Sequence, residues 1–559
     1  MNAKCQSVKD SLKELAPAYI ISFSLSFMLL FYEPVNTFAS NTLDFWFDIN
    51  QLILPVLGIF GISFVGGAAF FTIIYLICRK LKKPMPYKIF AAVVIFLFFP
   101  LYMQNTFFNM KLPILDGNPI AWNKLRYLDI IFLVFVIGLG ILFVYFIIKF
   151  GIDKILKYAS LISLAIFIML TSSLVVTVLG KTAFKSGNNI ITTNENFNTM
   201  SSEKNFVIFV VDTISAGMFD EVLCEDPKYA DVFDDFTFYT DTMSVYPYTI
   251  YSVPLILTGK TVSTSGISYT DFCTDAYNNS PLFTELDQRG YDINLYGNFI
   301  RWAGDPNFEI KNAEFVYGCN IDFGNFSEMA RYLWFKFAPY TLKELADIES
   351  IDLQFVTAAN QDVFVWDNDI FYHNVKDNSN LEKQQRKTFQ FIHTEGAHMP
   401  FIYDENVNKV DGGTSYNESV KATITTIKAY IDRLKANGLY DNTAIVIAAD
   451  HGHTDTGDDG QSINLLSRLN PILLIKGVNE KHELIRSDLP LIQTDLMDAY
   501  QQLLDGKQST DLFTDIEKSR TRTVLIHADK YIFTEYTTDG KATEYDKFIP
   551  TGNVYENLE

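Results

Sequence analysis

The chain has 559 residues, 45 Lys and Arg against 65 Asp and Glu, and a formal net charge of −20. That length allows more than one domain, and the acidic balance leaves no basic footprint for nucleic acid, which excludes a nucleic-acid binder. Apolar residues crowd into long Phe, Ile, Leu and Val runs before residue 181, and the remainder reads as an ordinary polar globular chain.

Five stretches, 16–32, 51–78, 89–104, 130–148 and 159–180, approach the roughly 20 apolar residues that a membrane-spanning helix needs. Alone, the first could pass for a signal peptide. Four more spans follow it, so it reads as a retained anchor. Lys4, Lys9 and Lys13 precede the first span, RKLKKPMPYK fills 79–88, and Lys149, Lys154 and Lys157 mark 149–158. The loop 33–50 carries Glu33, Asp44 and Asp48 and no Lys or Arg. The excess of positive charge on cytoplasmic loops predicts a cytoplasmic N-terminus. Five spans then put everything after Lys181 on the far side. The aromatic loop 105–127, with Phe107, Phe108 and Trp122, is expected at the membrane interface.

The expected domains are 1–181, transmembrane; 182–204, an Asn/Thr/Ser-rich linker; and 205–559, an extracytoplasmic domain. In the last, NFVIFVVD (205–212), KTFQFIH (387–393) and TAIVIAAD (443–450) read as buried strands. The stretch 419–438 reads as a helix, with Ile424, Ile427, Ile431 and Leu434 on one face and Gly438 as its C-cap. Strands alternating with helices predict an α/β domain with a mostly parallel sheet. Asp539-Gly540 signals a hairpin near the end. Of five cysteines, only Cys224, Cys273 and Cys319 fall in this domain, which allows one internal disulfide at most and excludes a disulfide scaffold.

Residues 246–259, YPYTIYSVPLILTG, put Thr249 in front of an apolar helical run. A hydroxyl there serves either as an N-cap or as a group at an anion-binding helix N-terminus. Strands in such sheets end at the ligand crevice, and two of the expected strands end in Asp212 and Asp450, a third in His393. Four of the seven histidines, His393, His398, His451 and His453, lie in two short segments. Carboxylate, imidazole and hydroxyl together suit zinc or manganese. Such a divalent metal on Thr249 would lower the hydroxyl pKa and create a nucleophile.

The ordered motifs VVDT (210–213), TIYSVP (249–254), HTEGAHMPF (393–401) and ADHG (449–452) resemble the alkaline phosphatase/sulfatase superfamily. With five spans in front, the chain is similar to its membrane-bound branch, the lipoteichoic acid synthases and lipid A phosphoethanolamine transferases. The resemblance implies Asp212, Thr249, Asp450 and His451 as metal ligands and Thr249 as nucleophile. It implies that His393 and His398 contact the phosphate or leaving group, or hold a second metal. It also implies a bacterial plasma-membrane enzyme that moves phosphoglycerol or phosphoethanolamine from a phospholipid donor to a surface glycan or lipid acceptor through phosphothreonine. The alternative is a membrane-anchored phosphodiesterase, phosphatase or sulfatase-like hydrolase using the same site. Thr249 is followed by Ile250 and Tyr251, not the C/S-x-P-x-R of formylglycine sulfatases, which disfavours sulfate esters. Relatives carry a further histidine about a dozen residues after DHG. Here DDGQSINLLSRLN follows, with Asn464 or His453 as the substitute. Arg301 and Trp302 are the candidates for binding the head group.

Overall fold

The structure is a computed structural model that describes residues 2–556 apart from 41–48, 113–119, 121, 180–188, 263–264, 298–299, 301–302, 305, 317–322, 347–362, 454–464 and 530–531. The chain forms two compact units, Met1–Ser186 with Gly318–Ala359, and Gly187–Tyr317 with Asn360–Glu559.

The first unit holds five helices long and apolar enough to cross a membrane: Ser11–Ser40, Leu52–Lys80, Met85–Met110, Trp122–Phe150 and Ile152–Leu179. They overlap the five expected stretches. In Trp122–Phe150 the most apolar window has none of its residues buried inside the protein. A surface of exposed Leu, Ile and Val on that scale suits lipid and not water. Two short helices, Phe323–Phe337 and Tyr340–Lys343, belong to this unit as well, although their sequence sits far downstream, between the Thr249 and His393 motifs.

The second unit is organised by a seven-stranded sheet: β1 (Asn205–Val211), β2 (Thr237–Tyr239), β3 (Tyr291–Tyr296), β4 (Lys387–Thr394), β5 (Thr443–Ala449), β6 (Leu473–Lys476) and β7 (Ile485–Ser487). Their order across the sheet is β7-β2-β6-β5-β1-β4-β3. Only β6 runs against the rest, so the sheet is mostly parallel, as expected. β1 and β5 are buried at every residue, which is why they read as unbroken apolar runs. Phe206 and Phe209 lie on opposite faces of β1 because side chains alternate along a strand. Phe206 meets Tyr500 of helix Leu496–Leu504, with ring centroids 5.7 Å apart, and Phe209 meets Tyr430 of helix Tyr416–Ala436 at 5.6 Å. Helices therefore cover both faces, and the crevice at the carboxyl ends of β1, β4 and β5 is left to carry chemistry.

Two stretches differ from expectation. From Asn189 onward the presumed linker is built into the second unit. Asn189–Thr192 pairs antiparallel with Ala313–Val316, and Thr199–Ser201 pairs parallel with Glu382–Gln384. Its polar side chains make internal bonds, such as Thr193 Oγ1 donating to the Asn312 carbonyl at 3.2 Å. The Asp539-Gly540 turn ends strand Ile532–Thr538, but the next strand starts only at Ile549. The two strands pair antiparallel across a long connection instead of a tight turn.

Candidate active site

Register brings the site together. Val211 of β1 lies opposite Thr394 of β4 and Ala449 of β5. Asp212, His393 and Asp450 therefore arrive side by side at the same sheet edge, and their ligating atoms all lie within 4.8 Å of one another. The turn after β4 comes so close that a Cβ on Gly396 would fall 2.3 Å from the Asp212 carbonyl oxygen. Its φ of +60° also favours glycine.

Thr249 is not an N-cap. Tyr248 occupies that place in helix Thr249–Thr258 and makes no side-chain cap. Thr249 is the first helical residue, and its Oγ1 donates to Asp212 Oδ2 at 3.3 Å and lies 3.3 Å from His451 Nε2. The helix ends at Gly259, left-handed at φ 68°. Pro254 has no N–H for the Ile250 carbonyl, and the hydroxyl of Tyr269 donates to that carbonyl instead.

His451 is almost fully buried. Its Nδ1 lies 2.8 Å from the Gly452 carbonyl, which can only accept, so Nδ1 carries the proton and Nε2 is a bare lone pair. That lone pair faces Asp450 Oδ2 at 3.4 Å and Asp212 Oδ1 at 3.8 Å. Asp450 Oδ1 accepts from the Thr213 and His451 N–H groups at 3.1 and 2.8 Å. Its Oδ2 is buried without a hydrogen-bond partner among the described residues. Burial, and then the charge of Asp450, push the Asp212 carboxyl well above the usual range. Asp450 feels the same burial, outweighed by His451 and His393 and by hydrogen bonds from Thr249 and the Thr213 N–H, which hold it low. Burial pulls His393 and His451 down to about 4, so both are neutral. Two buried acids, an orphaned carboxylate oxygen and a bare imidazole nitrogen converge, and their crowding shows in the raised Asp212 carboxyl. That donor set fits a divalent metal.

The second layer is aromatic. The Trp366 ring lies 5.6 Å from that of His393 and 6.2 Å from that of His398. His398 donates from Nδ1 to the Met399 carbonyl at 2.6 Å. His453 stacks on Tyr416 at 4.1 Å, and its N–H donates to Ser215 Oγ at 2.8 Å. Burial takes its pKa down to about 4, and its buried Nδ1 has no partner among the described residues. Arg468 was not singled out from the sequence. Its Nη1 donates to the Pro247 carbonyl at 3.2 Å, its guanidinium lies over the Tyr248 ring at 5.3 Å, and its charge bears on Asp212, His451 and His453. It sits inside the DDGQSINLLSRLN stretch where a histidine was sought. No spacing rule points to it.

Arg301, Trp302 and Asn464 lie outside the described residues, as does Cys319. Cys224 and Cys273 are free thiols.

The family model described as Sulfatase matches residues 204–485, just over half of the chain. Among solved structures, a protein in the alkaline phosphatase superfamily from Vibrio parahaemolyticus matches at 15% identity and a TM-score of 0.37, over 66% of this chain and 85% of that one. A putative sulfatase from Bacteroides thetaiotaomicron matches at 11% identity and 0.39, over 64% and 85%. The C-terminal periplasmic domain of EcEptC from Escherichia coli matches at 13% identity and 0.33, over 65% and 96%. A search of curated proteins finds no match.

Proposed function

The chain belongs to the sulfatase family, a superfamily of metal-dependent hydrolases and transferases, and on that premise we propose that it is a membrane-anchored transferase. It moves a phospholipid-derived phospho-head group, phosphoglycerol or phosphoethanolamine, to a cell-surface glycan or lipid. The observation that carries this reading is Thr249 itself. A hydroxyl at a helix N-terminus, touching both an acid and a bare imidazole nitrogen of the donor set, is arranged as a nucleophile.

Asp212, Asp450, His451 and the Thr249 hydroxyl would hold the metal, with His393 completing the set. When bound, zinc or manganese lowers the pKa of the hydroxyl and offsets charge on the phosphoryl group. Thr249 Oγ1 gives its proton toward Asp212 Oδ2 and attacks phosphorus. The bond to diacylglycerol breaks, and the departing oxygen takes the Nε2 proton of His398 in its doubly protonated, imidazolium form. An acceptor hydroxyl then attacks the phosphothreonine and loses its proton to His398 Nε2, and the bond to Thr249 breaks as its oxygen takes back the proton held at Asp212 Oδ2. Arg468 draws negative oxygens toward the helix N-terminus. The five spans hold the domain on the surface that supplies the lipid, with the N-terminus cytoplasmic and the catalytic unit extracytoplasmic.

The test is the intact mass of the full-length protein, loaded with zinc or manganese and given phosphatidylglycerol or phosphatidylethanolamine. A gain of phosphoglycerol or phosphoethanolamine, absent from Thr249→Ala, is expected. Undiminished lipid turnover by Thr249→Ala overturns the scheme. Head group released only to water, with a glycan acceptor present, would make the enzyme a hydrolase.

A further inference from the structure

Residues 323–346 lie between two catalytic motifs in sequence but fold with the membrane helices. Tyr332, Phe335, Phe337 and Ala346 share one buried apolar cluster with them. Phe335 meets Trp122 edge to face, with ring centroids 6.2 Å apart. Asn109 Nδ2 donates to the Lys336 carbonyl at 2.8 Å, the Tyr340 hydroxyl donates to the Phe108 carbonyl, and the Thr341 N–H donates to Asp129 Oδ2 at 2.7 Å. All of these anchors sit where the third span ends and the fourth begins, so the segment is fixed to one rim of the bundle.

Its other side is apolar and exposed. Trp334 is 50% exposed, Leu342 40% and Leu345 74%. The fourth span, on which the segment is anchored, exposes Tyr127, Ile130 and Ile131 at the same end. The exposed side chains therefore continue the lipid-facing surface of that span. Trp334 is built for a boundary, with its ring outward and its Nε1 donating to the Leu342 carbonyl at 2.9 Å. The segment is closed on itself. Arg331 donates from Nε and Nη2 to the Ala346 carbonyl, and Lys343 Nζ donates to the Phe335 and Lys336 carbonyls at the end of the longer helix. Burial takes the Lys343 pKa down to about 7, in keeping with a site shielded from water.

We propose that helices Phe323–Phe337 and Tyr340–Lys343 form an interfacial element of the membrane. Trp334, Leu342 and Leu345 are seated at the boundary between head groups and acyl chains, beside the rim of the fourth span. The occupant of this surface is the bilayer itself, because the patch is continuous with a span whose own surface already faces lipid. The element brings a segment of the catalytic half of the sequence to the depth at which a phospholipid donor presents its phosphate. The placement rests on the five spans lying in a bilayer and needs no assumption about the reaction.

The full-length protein and its Trp334→Phe variant are compared in phosphatidylglycerol nanodiscs, and the difference between their fluorescence spectra isolates Trp334. Lipids brominated near the top of the acyl chain are expected to quench most of that difference, and aqueous iodide little of it. Quenching by iodide and not by bromine would place Trp334 in water and overturn the proposal. Quenching by neither would mean that protein covers the patch, which overturns it equally. Leu342→Asp with Leu345→Asp adds a functional readout. Turnover is expected to fall roughly tenfold with phosphatidylglycerol in bilayers and less than about twofold with a water-soluble phosphodiester. An equal fall with both substrates overturns the role at the membrane.

Discussion

Glu33 in the membrane unit and the Asp212–Asp450 pair in the second unit are all nearly inaccessible to water, yet among the described residues only Glu33 has a Lys or Arg within ion-pair distance. Lys336 Nζ lies 3.3 Å from Glu33 Oε1, Asn105 Nδ2 donates to Oε2 at 2.6 Å, and Thr37 Oγ1 donates at 3.3 Å. Both carboxylate oxygens of Glu33 are thus partnered, so the network reads as a structural clamp between the helix bundle and the segment 323–346. The catalytic pair has neighbours of the opposite kind. Its nearest bases, His393 and His451, are held neutral by burial, and Asp450 Oδ2 has no hydrogen-bond partner among the described residues. A buried acid with an internal cation stabilises a fold, and buried acids without one make a binding site.

Thr249→Ala separates chemistry from stability and carries the largest expected effect. Lipid turnover should fall by about 10⁴-fold or more, with the unfolding temperature essentially unchanged, because Thr249 contributes one half-exposed hydroxyl. Head-group release and thermal unfolding of the same preparation check both halves. Glu33→Gln should do the reverse, lowering stability and leaving turnover of a soluble diester close to wild type.

Stability of the metal-stripped protein gives a test of sign. Asp212→Asn removes like-charge crowding from a pocket without its cation. It should stabilise the chelator-treated catalytic unit by about 1–2 kcal/mol. Glu33→Gln leaves Lys336 partly buried and unpaired and should cost about 2 kcal/mol, below the roughly 3–5 kcal/mol of a fully buried pair. Adding zinc or manganese should raise the unfolding temperature of the wild type and much less that of Asp212→Asn. Two shifts of the same sign would erase the distinction between clamp and site.

The meeting of Asp212, His393 and Asp450 was legible in the sequence and the clamp was not, for a physical reason. Asp212, His393 and Asp450 each end a strand with an unbroken apolar pattern, and parallel register carries strand ends to a common edge. Local pattern therefore implies proximity. Thr249 was legible as a choice between cap and nucleophile, and only its two partners in space settle that it caps nothing. Glu33 and Lys336 belong to the same unit but are separated by about half the chain, and no period links them. The segment 323–346 looks like ordinary catalytic-domain sequence, since an amphipathic helix carries the same pattern whether its apolar face meets a sheet or a bundle. Arg468 was missed because a single cation reaching back across a loop leaves no motif.

Arg468 offers the next contrast, as a full positive charge that bears on Asp212, His451 and His453. Arg468→Ala should lower kcat roughly 100-fold, the usual scale for a lost oxyanion donor. Arg468→Lys should recover part of that, because the charge returns without the planar fork. Unchanged kcat with a raised KM would assign Arg468 to ground-state binding only.

The smallest effect concerns the helix that carries Thr249. Pro254 cannot satisfy the Ile250 carbonyl, and Tyr269 does so from outside the helix. Tyr269→Phe keeps the ring against Tyr251, 5.1 Å away, and strands one buried acceptor at a cost of about 1–2 kcal/mol. Pro254→Ala supplies an N–H to the same carbonyl from within the helix. In that background the Tyr269→Phe penalty should shrink to a few tenths of a kcal/mol, and a double-mutant cycle in thermal unfolding reads the coupling directly. Full additivity would mean that Tyr269 supports the helix through packing alone. Coupling would show that the first turn, on which Thr249 sits, is held by an external hydroxyl because proline removed the internal donor. The geometry of Thr249 would then be fixed from outside its own helix.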